Sequence, residues 1–325
     1  MPYSAFQSFP EPHELDAAVR AASLKTVIAS SGDYRSEWAR IDLEKLWMQH
    51  VFTSVPSITH VAVKPGRNVI YFLVDQSEAP VLHDAKQLSS AEIVVISRGG
   101  EYHRRTMTQC SWASMSLSPE DVAAAGRALI GRDISAPSVT RIIRPRTDLM
   151  VRLQRAHAAA RHLARTAPEM LEAPEVAKAL EQDLVRKMVA CLTSGTDIAD
   201  HELRHPRFPV MRKLEQILGQ NEDRPLYLSE ICPAIGVSER TLRTHCLEHL
   251  GIGPIRYLWL RRMHLARRAL VLAEPTSTTV TSIANDYGFG ELGRFAVNYR
   301  LLFGESPSAT LARHADARRW SARGT

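Results

Sequence analysis

The side chains with the most to offer a ligand lie in the last third of the 325-residue chain. Arg240, Thr241, Arg243 and Thr244 stand close together, and Arg294 and Arg300 follow further on. Arg can bond the edge of guanine with two parallel N–H groups or grip a phosphate, and Thr can bond bases or phosphates. Ser238, Arg261, Glu291 and Val297 complete the candidate set. The chemistry is hydrogen bonding and charge neutralisation against a polyanion, not bond making. No Gly-rich phosphate loop or Ser/Cys nucleophile motif occurs, and no cofactor is implied. Cys110, Cys191, Cys232 and Cys246 form no C-x-x-C pair, which argues against a zinc site or a disulfide framework. Cys232 and Cys246 are close enough in sequence for a redox switch to be conceivable, although free Cys is more often a small buried apolar residue.

These residues sit in a stretch that repeats itself. Ile231, Gly236 and Glu239 recur as Ile283, Gly288 and Glu291, an offset of 52, and Leu250-Gly251-x-x-Pro254 recurs as Phe303-Gly304-x-x-Pro307, an offset of 53. The arithmetic puts one inserted residue between Glu291 and Phe303. Each copy reads as helix, tight turn, helix, over 228–250 and 280–303. Gly236 and Gly288 mark the stops, where the chain needs a left-handed residue. Ser238 is the expected cap of the following helix, and Gly290 holds that place in the second copy. Two helices on so short a turn make a helix-turn-helix, whose second helix can enter a DNA major groove. With Leu242 and Cys246 inward, Arg240, Arg243 and Thr244 point outward. With Phe295, Tyr299 and Leu302 inward, Gly293, Arg294, Ala296, Val297 and Arg300 do. Two αα-hairpins with solvated basic faces are the bland alternative; two copies in register, with matching glycines, weigh against it.

Gly236-Val-Ser-x-Arg-Thr-Leu242, Arg262-Met-x-x-Ala-Arg267, Ile283-Ala284, Gly288-Phe289 and Phe303-Gly-x-Ser-Pro307 together resemble the AraC/XylS family of bacterial transcription regulators. The resemblance covers about the last third of the chain. It implies a DNA-binding domain of seven helices over 210–313, with two helix-turn-helix units joined by a long helix and addressing neighbouring major grooves. It also implies double-stranded promoter DNA and RNA polymerase as partners, a homodimer, a small-molecule effector of unknown identity, and activation as the usual outcome. Pro233, inside the first helix of the first copy, departs from the pattern, as do Gly290 and Gly293.

The rest of the chain fits a second, β-rich domain, making the whole a multidomain α+β protein. Residues 1–206 carry 24 Lys and Arg against 24 Asp and Glu, and residues 207–325 carry 17 against 11. All the excess positive charge lies with the suspected DNA-binding segment. Residues 1–20 read as a loose start. Ile58–Val63, Val69–Val74, Glu92–Ile96 and Ser111–Leu117 read as short strands, the last half-buried, with turns at Pro65-Gly66 and Gly99-Gly100. This spacing suggests a sandwich or barrel over 1–147, and in the family this position resembles a cupin-like, jelly-roll sensor. Metal-binding cupins use a His-x-His pair; His60, His83 and His103 stand singly.

Pro119–Ile130 reads as a helix capped by Ser118. Asp148–Ala167 and Pro174–Thr193 follow, each with an apolar stripe. This hairpin, 148–194, either packs on the barrel or dimerises. Residues 195–209 read as a linker and 314–325 as a disordered tail. On the long helix from Pro254, Arg256, Arg261 and Arg268 are candidate phosphate contacts. No membrane-length apolar run or leader-like start is apparent, and the expected location is cytoplasmic. Two rivals to a sequence-specific regulator are a cupin-type enzyme with an accessory DNA-binding domain and a non-specific architectural binder.

Overall fold

The computed structural model describes residues 3–74, 79–198, 208–222, 224–274 and 277–313. They form two compact units. One holds most of the described residues up to 198; the other holds those of 208–313 and takes in residues 26–34 and 55–59. Among the described residues no helix is long and apolar enough to cross a membrane.

The described strands are β1 (Tyr3–Phe9), β2 (Ala22–Ile28), β3 (Ser36–Asp42), β4 (Trp47–Thr53), β5 (Ser57–Val63), β6 (Asn68–Leu73), β7 (Val81–His83), β8 (Lys86–Leu88), β9 (Ile93–Val95), β10 (Glu101–Thr106), β11 (Cys110–Leu117), β12 (Arg141–Arg144) and β13 (Thr196–Asp197). They make one sheet ordered β1-β3-β4-β11-β6-β9-β12-β13 and another ordered β2-β5-β10-β7-β8. Strand alternation splits the larger sheet between two cores. Val51, Tyr71, Val94 and Trp112 share a core with Leu24, Val61 and Tyr102 of the smaller sheet. Their neighbours Met48, Ile70, Phe72, Ala113 and Met115 face a second core made with helices. A sheet covered on both faces reads as an unbroken apolar run, which is why Val69–Leu73 shows no alternation.

Ser111–Leu117, expected to be half-buried because it alternates, is instead buried almost throughout. The Oγ of Ser114 accepts a bond from Gln49 at 3.1 Å, and Ser116 accepts from Arg67. The polar positions of the alternation are hydrogen-bonded interior, not solvent face. The start of the chain is not loose either: β1 pairs along its whole length with β3, and α1 (Pro12–Ala18) follows it.

The helices that cover the larger sheet are α2 (Pro119–Ile130), α3 (Thr147–Thr166) and α4 (Pro174–Ser194), with a 3-10 turn at Pro168–Glu172. Ser118 caps α2 as expected, its Oγ accepting from Asp121 N–H at 3.1 Å. The apolar stripes of the hairpin are used within the chain. Met150, Leu153 and Ala160 of α3 and Leu184 and Met188 of α4 lie in the core beneath the sheet. Glu181 adds a polar anchor by accepting from the backbone N–H groups of Lys45 and Leu46 at 2.8 and 3.0 Å. These buried positions pack within the chain, while Leu149, Ala156, Leu163, Leu180 and Leu192 are half-buried at the edge of the same core, and the hairpin belongs to the same compact unit as the sheets. Part of the expected linker is ordered, since Thr196 and Asp197 pair with β12. Residues 199–207 of that linker and the tail 314–325 lie outside the described residues.

The second unit contains α5 (Phe208–Gln220), α6 (Leu228–Ile235), α7 (Glu239–Leu250), α8 (Pro254–Leu272), α9 (Val280–Asp286) and α10 (Leu292–Phe303). A last helical stretch, 307–313, brings the described helices of this region to the seven that the resemblance implies. Leu242, Cys246 and Leu250 share one core with Tyr257, Met263 and Leu270 of α8 and with Phe295, Tyr299 and Leu302 of α10.

Candidate DNA-binding surface

Both helix-turn-helix units fold as the repeat demands, and their glycines show why. Gly236 and Gly288 end α6 and α9 at φ of 81° and 73°; Gly251 and Gly304 end α7 and α10 at 66° and 76°. All four sit in the left-handed region that a Cβ disfavours. At Gly236 two backbone bonds close the turn, from its own N–H and that of Val237, both to Cys232 O. Phe289 N–H bonds Ala284 O at 2.8 Å to the same end in the second unit. Ser238 caps α7, its Oγ accepting from Thr241 N–H at 3.1 Å.

The inserted residue is not where sequence arithmetic put it. Gly236 lies two residues before the cap Ser238, whereas Gly288 lies three before the cap Glu291. Thus Gly290 is not the cap, and the extra residue belongs to the second turn. From the caps onward the copies align at an offset of 53: Leu242, Cys246 and Leu250 match Phe295, Tyr299 and Phe303, all buried.

Against that register the candidate residues sort cleanly. Ser238, Arg240, Thr241, Arg243 and Thr244 are exposed along α7 and its cap. The Ser238 and Thr241 hydroxyls lie 2.8 Å apart, and Thr244 Oγ1 donates back to Arg240 O at 3.1 Å. Arg240, Arg243 and Arg300 enter no ion pair among the described residues. On α10, Arg294, Val297 and Arg300 are exposed. Arg294 reaches Glu291 at 3.4 Å, an exposed pair of little energetic weight.

Arg261 is a correction. Its side chain is 8% exposed and its Nη1 lies 3.3 Å from Glu215 Oε2, while Tyr257 donates to the other carboxylate oxygen at 2.8 Å. It ties α8 to α5 and cannot reach a phosphate. Two arginines of the motif on α8 also make contacts within the domain. Arg262 donates to Gly288 O at 3.4 Å, and Arg267 pairs with Glu305 at 3.0 Å over the ring of Phe303. Arg256, which stacks on Trp259, and Arg268 remain exposed. Cys232 and Cys246 are buried, and burial pushes the Cys246 thiol up to about 12, so no reactive thiolate forms there near neutrality. Sequence reasoning missed Leu247 and Leu301, exposed apolar residues on the two reading faces, because no periodicity marks an apolar residue as facing out.

Two helix-turn-helix units, each presenting an arginine-bearing second helix and joined by a helix about 28 Å long at 1.5 Å per residue, define a DNA-binding domain. Comparison with known proteins agrees. A family model described as "Helix-turn-helix domain" matches residues 231–313. The chain is 37% identical over 149 residues to a probable thc operon regulatory protein of Rhodococcus erythropolis, a match covering 43% of this chain and 45% of that protein. It is 35% identical over 106 residues to XylDLEGF operon transcriptional activator 2 of Pseudomonas putida, covering 33% of this chain and 68% of that one. The chain thus spans less than half of the first relative and about two thirds of the second. Among solved structures, the AraC-like transcriptional activator CuxR aligns over 88% of this chain and 100% of its own, at 14% identity and a TM-score of 0.42. A probable AraC family regulator from Rhodopseudomonas palustris aligns over 32% of this chain and 96% of its own, at 32% identity and a TM-score of 0.29. The chain belongs to the AraC/XylS family of transcription regulators, and its helical C-terminal region is the family's DNA-binding domain.

Proposed function

We propose that the protein is a sequence-specific transcription activator that binds promoter DNA through α7 and α10. It acts in the cytoplasm beside RNA polymerase and is governed by a small-molecule effector or partner through its β-rich unit. The observation that carries this reading is the exposed row of Arg240, Arg243 and Thr244 on α7, side chains able to read base edges and held on a buried, capped helix. Activation is the role printed for the Pseudomonas relative. Self-association as a homodimer belongs to the same proposal, through surfaces other than the hairpin stripe.

Genome-wide mapping of DNA bound by the full chain tests the reading, with an Arg240→Ala/Arg243→Ala double variant as control. Discrete sites that the double variant loses are expected, together with a preference over random DNA of roughly 10³ or more. Binding should also weaken steeply with salt as phosphate contacts release counterions. Equal affinity for bound-site and random DNA would make the protein a non-specific architectural binder instead.

A further inference from the structure

α7 and α10 are two copies of one backbone, yet the centres of their exposed faces differ in chemistry. At the offset of 53 fixed by the buried residues, Arg240 and Thr244 at the centre of the α7 face correspond to Gly293 and Val297. Leu301 continues that row one turn on. Val297 is 60% exposed and Leu301 65%. At about 100° per residue, Arg294 and Arg300 lie roughly 60° to either side of Val297. Asn298, the amide able to read adenine, is turned about 100° from Val297 and half-buried.

Nothing in the fold asks for this row. Gly293 does not have a positive φ, and a Cβ placed there would meet nothing within 4 Å. Gly costs a helix up to about 1 kcal/mol relative to Ala, and β-branched Val about half as much. A bare backbone at Gly293, a branched apolar side chain at its centre and arginines along both edges fit a major groove in one way. The groove's walls are phosphates, and the only apolar group on its floor is the C5-methyl of thymine.

We propose that α10 reads DNA by thymine methyl contact. Val297 seats against one or two methyl groups, Gly293 lets the helix backbone approach the bases, and Arg294 and Arg300 hold the flanking phosphates. The ligand of this half of the domain is therefore a T·A step, selected without a bidentate hydrogen bond. This rests on the reading of the protein as a sequence-specific DNA binder and adds what one half of its site must contain.

The test uses an operator selected from a random pool by the full chain. Each thymine is then replaced in turn by deoxyuridine, which removes the methyl and nothing else. One or two replacements should weaken binding about 3- to 5-fold, the worth of one buried methyl group. Val297→Ala, at an exposed position and checked for an unchanged melting temperature, should lose that sensitivity. 5-Methylcytosine at the sensitive position should bind better than cytosine. Gly293→Ala should melt no lower than the parent and bind the operator more weakly. If an operator is selected but no uracil replacement matters, or Val297→Ala keeps the full sensitivity, the methyl reading is overturned while sequence-specific binding stands. Unaltered operator binding by Val297→Ala with lost promoter activation would assign this face to a protein partner, and overturn it too. Failure to select any common site would overturn the sequence-specific reading and this one with it.

Discussion

Leu184→Ala separates packing from association at the helical hairpin. Leu184 has no solvent exposure and lies in the core that α3 and α4 share with the larger sheet. Truncating such a leucine removes its transfer free energy and leaves a cavity, at a cost of about 3–5 kcal/mol. For a unit of this size that corresponds to roughly 6–20 °C in Tm. The polar anchor is independent of it, because Glu181 one turn earlier still accepts from Lys45 and Leu46 N–H. The variant should therefore fold at low temperature, melt early, and keep the parent's mass. Thermal melts by far-UV circular dichroism, with sedimentation velocity at several concentrations, read both quantities at once. A variant with the parent's melting temperature and half the parent's mass would refute the reasoning and return the stripe to an interface.

Arg261→Ala should lower Tm sharply, by the 3–5 kcal/mol or so of a buried charge left unpaired on Glu215. Arg243→Ala should leave Tm unchanged and cost about 1–3 kcal/mol on the cognate site, as titration of the two proteins against operator DNA would show. Gly288→Ala should destabilise more than Gly236→Ala in urea titrations. Both force a left-handed alanine, worth about 1–2 kcal/mol, but only at Gly288 does the new Cβ also press on Pro225 and Arg262, at 3.1 Å. Stability of the β-rich unit should fall as the pH drops below about 6.5. Burial, ahead of nearby positive and imidazole groups, holds His83 and His157 down to about 3, so the unfolded chain binds protons that the folded one refuses. The loss is up to about 1.4 kcal/mol per pH unit for each histidine. Asp84, pushed up to about 6 by burial, opposes it between about 6 and 4 but is one group against two. Urea titrations from pH 8 to 5 should show the decline, and His157→Leu should flatten it; a level profile in the parent would refute it.

The DNA-binding region was the legible part of this sequence because its signals are local. A glycine needed for positive φ, a serine cap and an i, i+4 apolar row each act within one turn of helix; α7 and α9 lie where those signals put them, and α10 starts one residue later. The placement of the insertion failed because Glu239 and Glu291 look alike in a string. Only burial shows that one begins a helix and the other caps one. Arg261 failed for a related reason: a basic residue on a helix reads as solvated unless its partner is known, and Glu215 is 46 residues away. In the β-rich unit, strand pairing joins distant segments. Tyr3–Phe9 has no periodicity that announces its pairing with β3, and the serines of β11 alternate like solvent-facing residues although Gln49 and Arg67 bond Ser114 and Ser116. The hairpin stripes fitted a core and an interface equally, since both ask for the same apolar row.

On the proposed reading, the one-residue difference between the two turns, with the unlike faces behind them, gives a single copy of this protein a direction on DNA. A protein whose two reading helices were true repeats would still match half of its site after sliding by one repeat. Here α7 offers hydrogen-bonding side chains and α10 an apolar row edged by arginines, so a site read from the wrong end would mismatch at both. Orientation relative to a transcription start can thus be encoded within the footprint of one chain. Two sites of the same sequence pointing opposite ways would be different instructions.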